Sequence, residues 1–305
     1  MTEQLEFAKS TFAANAKTFA LAARFLPKAR YDAVARLYAF CRQLDDLADA
    51  SPAGVNHDTL VSIRQQICSG DSDNPVINDM LQLQQDFEIP TALLLDFVDT
   101  LIEDQYPRAL ADVDQLVRFA YGVASTVGLM MCHVFGVQDK RAYPFAVDLG
   151  VAMQITNIAR DILEDAGRDR LYVPSTLLDT AVSCEGLAQG DEAHRGSAYQ
   201  GALRMLAIAD EYYASAAQGY GYLPPSVRQA IKVAARLYQA IGEKVARNQT
   251  AYWQRRTVVS PERKCLLIAG LFMQRMREGS STLKVGKFQH AEHLHEALDQ
   301  RRFTA

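Results

Sequence analysis

The sequence predicts an all-α protein, folded as one large helical domain over residues 1–305. Apolar residues recur at spacings of three and four over long stretches, most regularly in 37–47 and 231–241, which is the periodicity of amphipathic helices. Proline contributes only 10 residues, below its average usage, and few stretches alternate between apolar and polar residues as half-buried strands do. No break in the chain has the composition of a linker, so we expect one core rather than two.

The expected helix boundaries are the places where proline, glycine and serine interrupt the apolar periodicity. These places are Pro27, 51–54, 69–75, Pro90, Pro107, 136–139, 174–175 and 219–225. The stretch 180–196 mixes glycine, serine and charged residues, so it is predicted to be a long loop.

One segment, 119–138, raises the question of a membrane. It contains no Asp, Glu, Lys or Arg and has about the length of a spanning helix. Its glycine, serine, threonine, histidine and glutamine residues make it weakly hydrophobic, so we predict a helix buried inside the bundle. Basic residues cluster at 255–256, 263–264 and 275–277, which predicts a solvated face, with anionic lipid as the alternative partner.

Charge and cysteine usage exclude several classes of protein. The formal net charge is −4, with 32 Lys+Arg against 36 Asp+Glu, so nucleic acid is not expected as a partner. The 5 cysteines are scattered and form no CxxC, which argues against a disulfide framework or a zinc ribbon. The first residues lack the basic and apolar regions of a signal peptide. These features predict a cytoplasmic protein, with a peripheral position at the inner face of the membrane as the alternative.

A polar stripe runs along the predicted helix 37–49. Tyr38, Arg42, Asp45 and Asp49 are separated by four, three and four positions, so they lie on one face. A polar stripe on a mostly apolar helix should line a cavity or meet a second polar stripe. Two carboxylates one turn apart repel each other and weaken the helix unless a cation offsets their charge.

A second stripe of the same kind follows further along the chain. Gln154, Asn157, Asp161 and Asp165 are separated by three, four and four positions, and Arg160 stands just before the aspartates. Acidic residues on a helix usually belong to a solvated face. Here nearly all the surrounding residues are apolar, so a solvated face explains the pattern poorly.

Facing pairs of carboxylates suit Mg²⁺, a hard ion that takes oxygen ligands and completes its shell with water and substrate phosphates. Neither stripe contains Cys or His, which argues against zinc. Arg42 and Arg160 can bind diphosphate oxygens, or they can simply pair with the neighbouring aspartates. The combination predicts a metal-bridged diphosphate in an apolar helical cavity, and therefore a prenyl diphosphate as the substrate.

These residues resemble the squalene/phytoene synthase family, the head-to-head prenyl transferases, over most of the chain. The segments 38–49 and 154–174 are similar to the two aspartate-rich motifs of that family. The segments 16–27 and 121–130 are similar to its N-terminal and YxVAGTVG motifs, and Tyr238 matches a tyrosine of its C-terminal helix. The resemblance implies an isoprenoid-synthase-type helical bundle around a central apolar cavity.

The resemblance also implies roles for individual residues. The implied metal ligands are Asp45, Asp49, Asn157, Asp161 and Asp165. The implied catalytic residues are Asp45, Asp49, Asp161, Asp165 and Tyr121, the last for a proton transfer. The implied substrate-binding residues are Thr18, Tyr38, Arg42, Gln154, Asn157, Arg160, Arg170 and Tyr238. The implied cofactor is Mg²⁺, with Mn²⁺ as a substitute.

The implied activity is the head-to-head condensation of two geranylgeranyl diphosphates, through a cyclopropylcarbinyl (prephytoene) diphosphate, to phytoene, the first step of carotenoid biosynthesis. The segments YAFCR and QITNIARDILEDA are most similar to those of bacterial phytoene synthases. One alternative is a squalene or dehydrosqualene synthase acting on farnesyl diphosphate, and NADPH is expected only for squalene. The alternative of another class is a non-catalytic family member acting as an assembly factor. The sequence carries no signal of oligomeric state.

Some positions depart from the family's pattern. Thr100 and Ser125 stand where the family usually has glycine, and Ala16 and Thr18 stand where it usually has serine. All the implied metal ligands are present, so these departures bear on product identity and rate more than on the class of reaction.

Two polar features have a structural and a functional explanation. Arg170 ends the hydrophilic run 166–170, which predicts either a flap over the diphosphate or a solvated loop. His290, His293 and His295 are predicted to lie on an exposed charged helix end rather than in a metal site.

Overall fold

The computed structural model describes residues 2–50, 52–278 and 290–298, and it is all-α as predicted. The helices are α1 (Thr2–Asn15), α2 (Lys17–Ala23), α3 (Lys28–Ala48), α4 (His57–Ser69), α5 (Pro75–Asp86), α6 (Thr91–Asp104), α7 (Val113–Ala120), α8 (Thr126–Phe135), α9 (Tyr143–Ala166), α10 (Cys184–Gln189), α11 (Glu192–Gln218), α12 (Pro225–Val245), α13 (Gln249–Gln254) and α14 (Pro261–Glu278). A π-helix, Tyr121–Ser125, joins α7 to α8. Short 3-10 helices cover Lys140–Ala142, Ser175–Leu177, Gly219–Tyr222 and Glu292–His295. The two short strands are β1 (Arg108–Ala109) and β2 (Arg170–Leu171).

Helix boundaries fall at the predicted breaks in the apolar pattern. The side chain of Asn74 accepts hydrogen bonds from the backbone N–H groups of Val76 at 2.9 Å and Ile77 at 3.2 Å, and Pro75 begins α5. A polar cap followed by proline is a common start for a helix. Gly136 ends α8 with a φ of 70°, the left-handed conformation that glycine adopts without strain.

The long loop predicted at 180–196 is wrong. Helix α10 occupies the middle of this stretch, and α11 begins within it. Asp191 starts α11 by accepting hydrogen bonds from the backbone N–H groups of Ala193 at 2.9 Å and His194 at 3.0 Å. Ser183 caps α10 in the same way. The polar residues that suggested a loop are therefore the caps of two helices.

Helix α9 is the central helix of the bundle. It packs against α11 along much of its length and also contacts α8 and α12. The stretch Val113–Phe135 is long and apolar enough to cross a membrane, but 67% of its most apolar window is buried among the other helices. The prediction of a buried helix over 119–138 is therefore confirmed.

Two close helix contacts accommodate residues that depart from the family pattern. Ser125 is fully buried, and its hydroxyl donates to the carbonyl oxygen of Val147 at 2.8 Å. A Cβ atom at Gly150 would lie 2.6 Å from the Cα of Ser125, so only glycine lets α9 pass the π-helix here. A Cβ atom at Gly122 would likewise lie 2.1 Å from the Oγ1 of Thr100. Each larger side chain thus faces a glycine on the neighbouring helix.

The strands β1 and β2 pair in parallel, with Arg108 opposite Arg170 and Ala109 opposite Leu171. This pairing joins the segment that follows α6 to the segment that follows α9. It therefore fixes two arginines side by side near the C-terminal ends of both helices.

The described C-terminal segment, 290–298, does not form the predicted exposed helix end. The Nε2 atoms of His290 and His295 lie 2.9 and 2.8 Å from the carboxylate oxygens of Asp148 on α9. His293 is exposed, as predicted. Asp148 is fully buried, and a buried carboxylate requires hydrogen-bond partners. These contacts join residues more than 140 positions apart, which explains why the local pattern gave the wrong prediction.

Candidate functional site

Helix α3 carries the first polar stripe. Tyr38, Arg42 and Asp45 lie on the helix, and Asp49 is its C-terminal cap residue. Tyr38 and Asp45 are half-buried, whereas the side chain of Asp49 is 41% exposed. The guanidinium of Arg42 donates from Nε to the Oδ2 of Asp46 at 3.1 Å, so it pairs with the aspartate beside the stripe.

Helix α9 carries the second stripe. Gln154 and Asn157 lie within 3.4 Å of each other through their side-chain amides. The helix is kinked at Asp161, whose φ of −108° and ψ of 15° depart from helical values. Such bridge-region conformations are common at active sites. Arg160 donates from Nε to the Oδ1 of Asp161 at 2.7 Å, and Asp165 follows one turn later.

The two stripes face each other. Arg168, just beyond the end of α9, lies 3.8 Å from a carboxylate oxygen of Asp49 and 3.6 Å from one of Glu164. This arginine therefore links the C-terminal ends of α3 and α9. Tyr38 of the first stripe and Asn157 of the second stripe line the same cavity.

Arg170 is only 5% exposed, so it lies neither in a solvated loop nor on a free flap. Its Nη1 lies 2.5 Å from the Oδ1 of Asp49 and 3.7 Å from the Oδ2 of Asp104. Its Nη2 donates to the carbonyl oxygen of Ala48 at 3.0 Å. The pairing of β2 with β1 holds the backbone of Arg170 in place. A residue of the second motif thus neutralises a carboxylate of the first.

Asp104, the last residue of α6, is a buried carboxylate outside both stripes. It accepts hydrogen bonds from the hydroxyl of Tyr172 at 2.8 and 2.6 Å, and the Nη1 of Arg108 lies 3.5 Å from its Oδ1. Burial raises the pKa of Asp104, and the contacts with Tyr172, Arg170 and Arg108 offset part of that effect. Of these partners, sequence reasoning placed Arg170 in the site but not Tyr172 or Arg108. The sequence signal for Asp104 was the pair Glu103 and Asp104 at the C-terminal end of the strongly apolar helix α6.

Arg256 is a second site residue that sequence reasoning missed. It was assigned to a solvated basic face, but its Nε and Nη2 donate to the two carboxylate oxygens of Asp161 at 3.0 and 2.8 Å. Its Nε also lies 3.6 Å from Glu164. The remainder of its side chain is exposed, which explains why the local sequence suggested a surface residue.

The electrostatics of the two stripes are alike. Burial, together with the charge of Asp49, raises the pKa of Asp45 to about 7. Burial, together with the charge of Asp161, raises the pKa of Asp165 to about 8. For Asp161 the effect of burial is outweighed by hydrogen bonds from its two arginines, so its pKa is lowered. Each stripe therefore contains one aspartate paired with arginine and one that holds its proton near neutral pH.

An apolar cavity of about 320 Å³ begins one helical turn from these aspartates. It is lined by α9 from Phe145 to Asn157, by α8 and by part of the π-helix. That part of α9 is about 18 Å long. Four of the predicted substrate-binding residues line this cavity, namely Tyr38, Gln154, Asn157 and Tyr238. Its length and lining suit a long apolar chain.

Comparison with known proteins identifies the family. The family model described as squalene/phytoene synthase matches residues 12–263 of the chain. The chain belongs to the squalene/phytoene synthase family.

Curated relatives agree with membership in this family, and solved structures agree with the fold. A 15-cis-phytoene synthase of Enterobacter agglomerans is 33% identical over 267 residues, covering 83% of this chain and 90% of the relative. A 15-cis-phytoene synthase of Pantoea ananas is 32% identical over 282 residues, covering 87% and 90%. A crystal structure of a dehydrosqualene synthase in complex with ligand matches with a TM-score of 0.72 and 24% identity, covering 90% of this chain and 96% of that chain. A squalene synthase of Alicyclobacillus acidocaldarius matches with a TM-score of 0.67 and 21% identity, covering 81% and 95%. These two structures share the fold of this squalene/phytoene synthase family member.

Of the other predicted site residues of this squalene/phytoene synthase family member, Tyr38 and Tyr238 line the cavity, whereas Thr18 and Tyr121 do not. Thr18 accepts a hydrogen bond from the Nζ of Lys264 at 3.0 Å, which joins α2 to α14. Burial raises the pKa of Tyr38 to about 12 and also raises the pKa of Tyr238 on α12. Tyr121 begins the π-helix and is fully buried, and it is not among the described residues that line the cavity.

Proposed function

We propose that the protein is a phytoene synthase, which joins two geranylgeranyl diphosphates head to head through prephytoene diphosphate. The observation that carries the proposal is the placement of facing aspartates and their arginines beside an apolar cavity that follows α9 for about 18 Å. Relatives named 15-cis-phytoene synthase, at 32% and 33% identity, support phytoene as the product. We assign this activity to one domain spanning residues 1–305.

The donor set of the site fits Mg²⁺. The side chains that would hold it are Asp45, Asp49, Asn157, Asp161 and Asp165, all of which offer oxygen atoms. Burial, and secondly the charges of neighbouring aspartates, raise the pKa values of Asp45 and Asp165, and a divalent cation would stabilise the charged form of both groups. Mn²⁺ takes the same oxygen ligands and is the expected substitute. When bound, the metal supplies positive charge that stabilises the departing diphosphate.

The arginines around the aspartates would bind the diphosphate. Arg42, Arg160 and Arg256 each donate to an aspartate in the structure. A guanidinium binds a carboxylate and a phosphate with the same planar pair of donors, so each arginine can exchange one partner for the other. Gln154 and Asn157 lie where the cavity meets the aspartates, and their amides would orient the diphosphate end of the substrate.

The cavity would protect the carbocations that form when diphosphate leaves. Water would quench such cations, so the reaction requires an apolar enclosure. The aromatic rings of Phe19, Tyr38 and Tyr238 line the cavity. Aromatic faces attract cations without attacking them, so these rings would stabilise the charge until the new carbon–carbon bond forms.

Tyr121 stays the predicted residue for assisting proton transfer. It begins the π-helix, and the following residues Val123 and Ala124 line the cavity. π-Helical turns are frequent at functional sites. Because the ring is fully buried and does not line the cavity, its position supports the cavity wall, and the proton transfer stays a prediction that rests on the family resemblance.

We further infer a cytoplasmic protein that touches the inner face of the membrane while it releases its apolar product. Leu266, Met273 and Met276 on α14 are 66, 56 and 81% exposed, and Arg275 and Arg277 lie among them. Apolar and basic residues on one helix are typical of contact with anionic lipid. Sedimentation with anionic vesicles should deplete the protein from solution, and Met276→Glu should reduce that depletion.

Product analysis tests the proposed reaction. Purified protein with Mg²⁺ and detergent receives C15 or C20 prenyl diphosphate separately, with and without NADPH, and the extracts are examined by mass spectrometry. We expect phytoene, a C40 hydrocarbon, from the C20 substrate alone. A C30 product in its place would assign a dehydrosqualene synthase, or a squalene synthase if NADPH is required. A folded protein that turns over neither substrate would be the non-catalytic assembly factor.

A further inference from the structure

A second cluster of metal-ligating side chains lies on α9, about 20 Å along the helix from Asp161. It comprises Asp148, His290 and His295, whose ligand atoms all lie within 4.8 Å of one another. The side chains of Asp148 and His295 are 0% and 7% exposed, and that of His290 is 13% exposed. The cluster is therefore almost enclosed by protein, and the proposed reaction does not use it.

We propose that Asp148, His290 and His295 bind a transition-metal ion, with Zn²⁺ as the fitting ion, separately from the aspartate-rich site. Two imidazoles and one carboxylate are a common ligand set for zinc, with water as the fourth ligand of a tetrahedral shell. Imidazole nitrogen selects against Mg²⁺, which prefers oxygen. The aspartate-rich site would thus bind Mg²⁺, and the histidine-containing cluster would bind Zn²⁺.

The surroundings orient these ligands in advance. The hydroxyl of Ser215 on α11 donates to the Oδ2 of Asp148 at 2.6 Å, which fixes the carboxylate. The hydroxyl of Tyr212 donates to the carbonyl oxygen of Leu294 at 2.6 Å, which fixes the chain between the two histidines. Second partners of this kind orient metal ligands and raise affinity. These two hydrogen bonds keep the three ligands close to one another.

The histidines also connect this site to the substrate cavity. The ring of His290 packs edge-on against Phe145, with 5.4 Å between the ring centroids. Phe145 lines the cavity at the end remote from the aspartates. A metal at the cluster would therefore hold the C-terminal segment against the wall of the cavity, in a structural role that does not depend on turnover.

Cobalt substitution tests the proposal on the full, untagged chain. Co²⁺ in a tetrahedral histidine site absorbs visible light strongly, whereas Co²⁺ among oxygen ligands absorbs weakly. We expect the strong absorption to saturate at one equivalent and Zn²⁺ to displace it. The matched control is His293→Gln, since His293 is exposed beside the cluster, and it should leave the titration unchanged. Asp161→Asn should also leave it unchanged, because it alters only the other site.

Two further substitutions, one of an outer hydrogen-bond partner and one of a ligand, should weaken metal binding to different extents. Loss of an outer hydrogen-bond partner weakens metal affinity by about 10- to 100-fold, so Ser215→Ala should weaken Zn²⁺ binding within that range. His290→Gln removes a ligand and should weaken binding by about 100-fold or more. Because His290 is the least buried of the three, this variant should keep its circular dichroism spectrum. Absent cobalt absorption, or equal absorption in His290→Gln, would overturn the proposal and leave a hydrogen-bonded cluster.

Discussion

Arg256 and Asp161, which are 95 positions apart in the chain, form a two-point ion pair with N–O distances of 3.0 and 2.8 Å. The same carboxylate also accepts from Arg160, so one aspartate is shared by two guanidinium groups. The contact brings the stretch between α13 and α14 onto the kink of α9. A surface arginine thereby becomes part of the aspartate-rich site.

Substitution of Arg256 should impair catalysis selectively. Loss of a charge-assisted hydrogen bond costs about 1.5–3 kcal/mol, so Arg256→Gln should lower kcat/KM for prenyl diphosphate by about 10- to 100-fold. The neighbouring exposed Arg255 offers the matched control, and Arg255→Gln should keep the original kcat/KM. Equal losses in both variants would mean that Arg256 acts only through general surface charge.

The two adjacent aspartates of α3 should differ in function. Asp45→Asn removes a proposed metal ligand and should lower kcat/KM at fixed Mg²⁺ by about 100-fold or more, since outer partners alone are worth about 10- to 100-fold in metal affinity. Asp46→Asn makes the same chemical change at an exposed position and should change kcat/KM by less than about tenfold. Raising the Mg²⁺ concentration should recover part of the activity of Asp45→Asn. A larger loss in Asp46→Asn than in Asp45→Asn would contradict the assignment of the stripe.

The metal-free protein should lose stability as pH rises. The pKa values of Asp45 and Asp165 are about 7 and 8 in the folded state, against an ordinary value of about 3.9. Between these values the folded state binds more protons than the unfolded state, so the free energy of unfolding falls from about pH 4 to about pH 8. Asp45→Asn should flatten this pH dependence in denaturant titrations.

Addition of Mg²⁺ should reverse that loss. The ion competes with protons for the same carboxylates, so the increase in Tm on adding Mg²⁺ should be larger at pH 8 than at pH 6. At about 100 times its Kd the metal should add about 2.7 kcal/mol to the free energy of unfolding. An increase in Tm that is the same at both pH values would show that the raised carboxyl groups do not bind the metal.

Arg170 should be important for stability as well as for the site. Removing one partner of a buried ion pair typically costs about 3–5 kcal/mol, so Arg170→Met should lower the free energy of unfolding by that amount. Asp104→Asn in the same background should recover part of the loss, because it removes a buried carboxylate that has lost one of its two arginine partners. A double-mutant cycle by denaturant unfolding measures the coupling, expected at about 1–3 kcal/mol. Additive effects would mean that Arg170 stabilises the fold through Asp49 and the carbonyl oxygen of Ala48 rather than through Asp104.

The contact between α9 and the π-helix should tolerate no added methyl group. A Cβ atom at position 150 would lie 2.6 Å from Ser125, so Gly150→Ala should lower the free energy of unfolding by about 1–3 kcal/mol. Gly196 in α11 is the matched control, because a Cβ atom there meets no atom within 4 Å. Gly196→Ala should raise stability by up to about 1 kcal/mol, since alanine is the better helix former. Thermal unfolding should show a lower Tm for Gly150→Ala and an equal or higher Tm for Gly196→Ala.

Helical periodicity and turn residues predicted most of the fold. The apolar repeats identified the long helices, and breaks such as Pro27 and Pro90 fall at helix starts. The predictions failed at polar residues that can lie either in an exposed loop or helix end, or in a cap or buried contact. Asp191 caps α11 rather than belonging to a loop, and His290 and His295 turn inward because Asp148 is buried opposite them. A local sequence pattern cannot predict a hydrogen-bond partner that lies on a distant element of the chain.

The site was predictable where its residues share one helix face. The stripes on α3 and α9 follow from spacing alone, and the structure places them opposite each other. Asp104, Arg256 and the buried position of Arg170 were not predictable in this way. Each depends on a contact between separate elements, such as the pairing of β1 with β2. Tertiary electrostatics, rather than helix propensity, decides these positions.

The exchange of partners between arginine and aspartate has a thermodynamic consequence for the order of binding. In the structure the guanidinium of Arg256 donates to Asp161, whose carboxylate we assign to the metal. If Asp161 bound the cation, its contact with Arg256 would be lost and the guanidinium would be available for phosphate; if Arg256 bound phosphate, the carboxylate would be available for the cation. Linkage requires that each ligand raise the affinity for the other by the same factor. Metal and diphosphate should therefore enter as a cooperative pair, and neither should saturate the site efficiently alone.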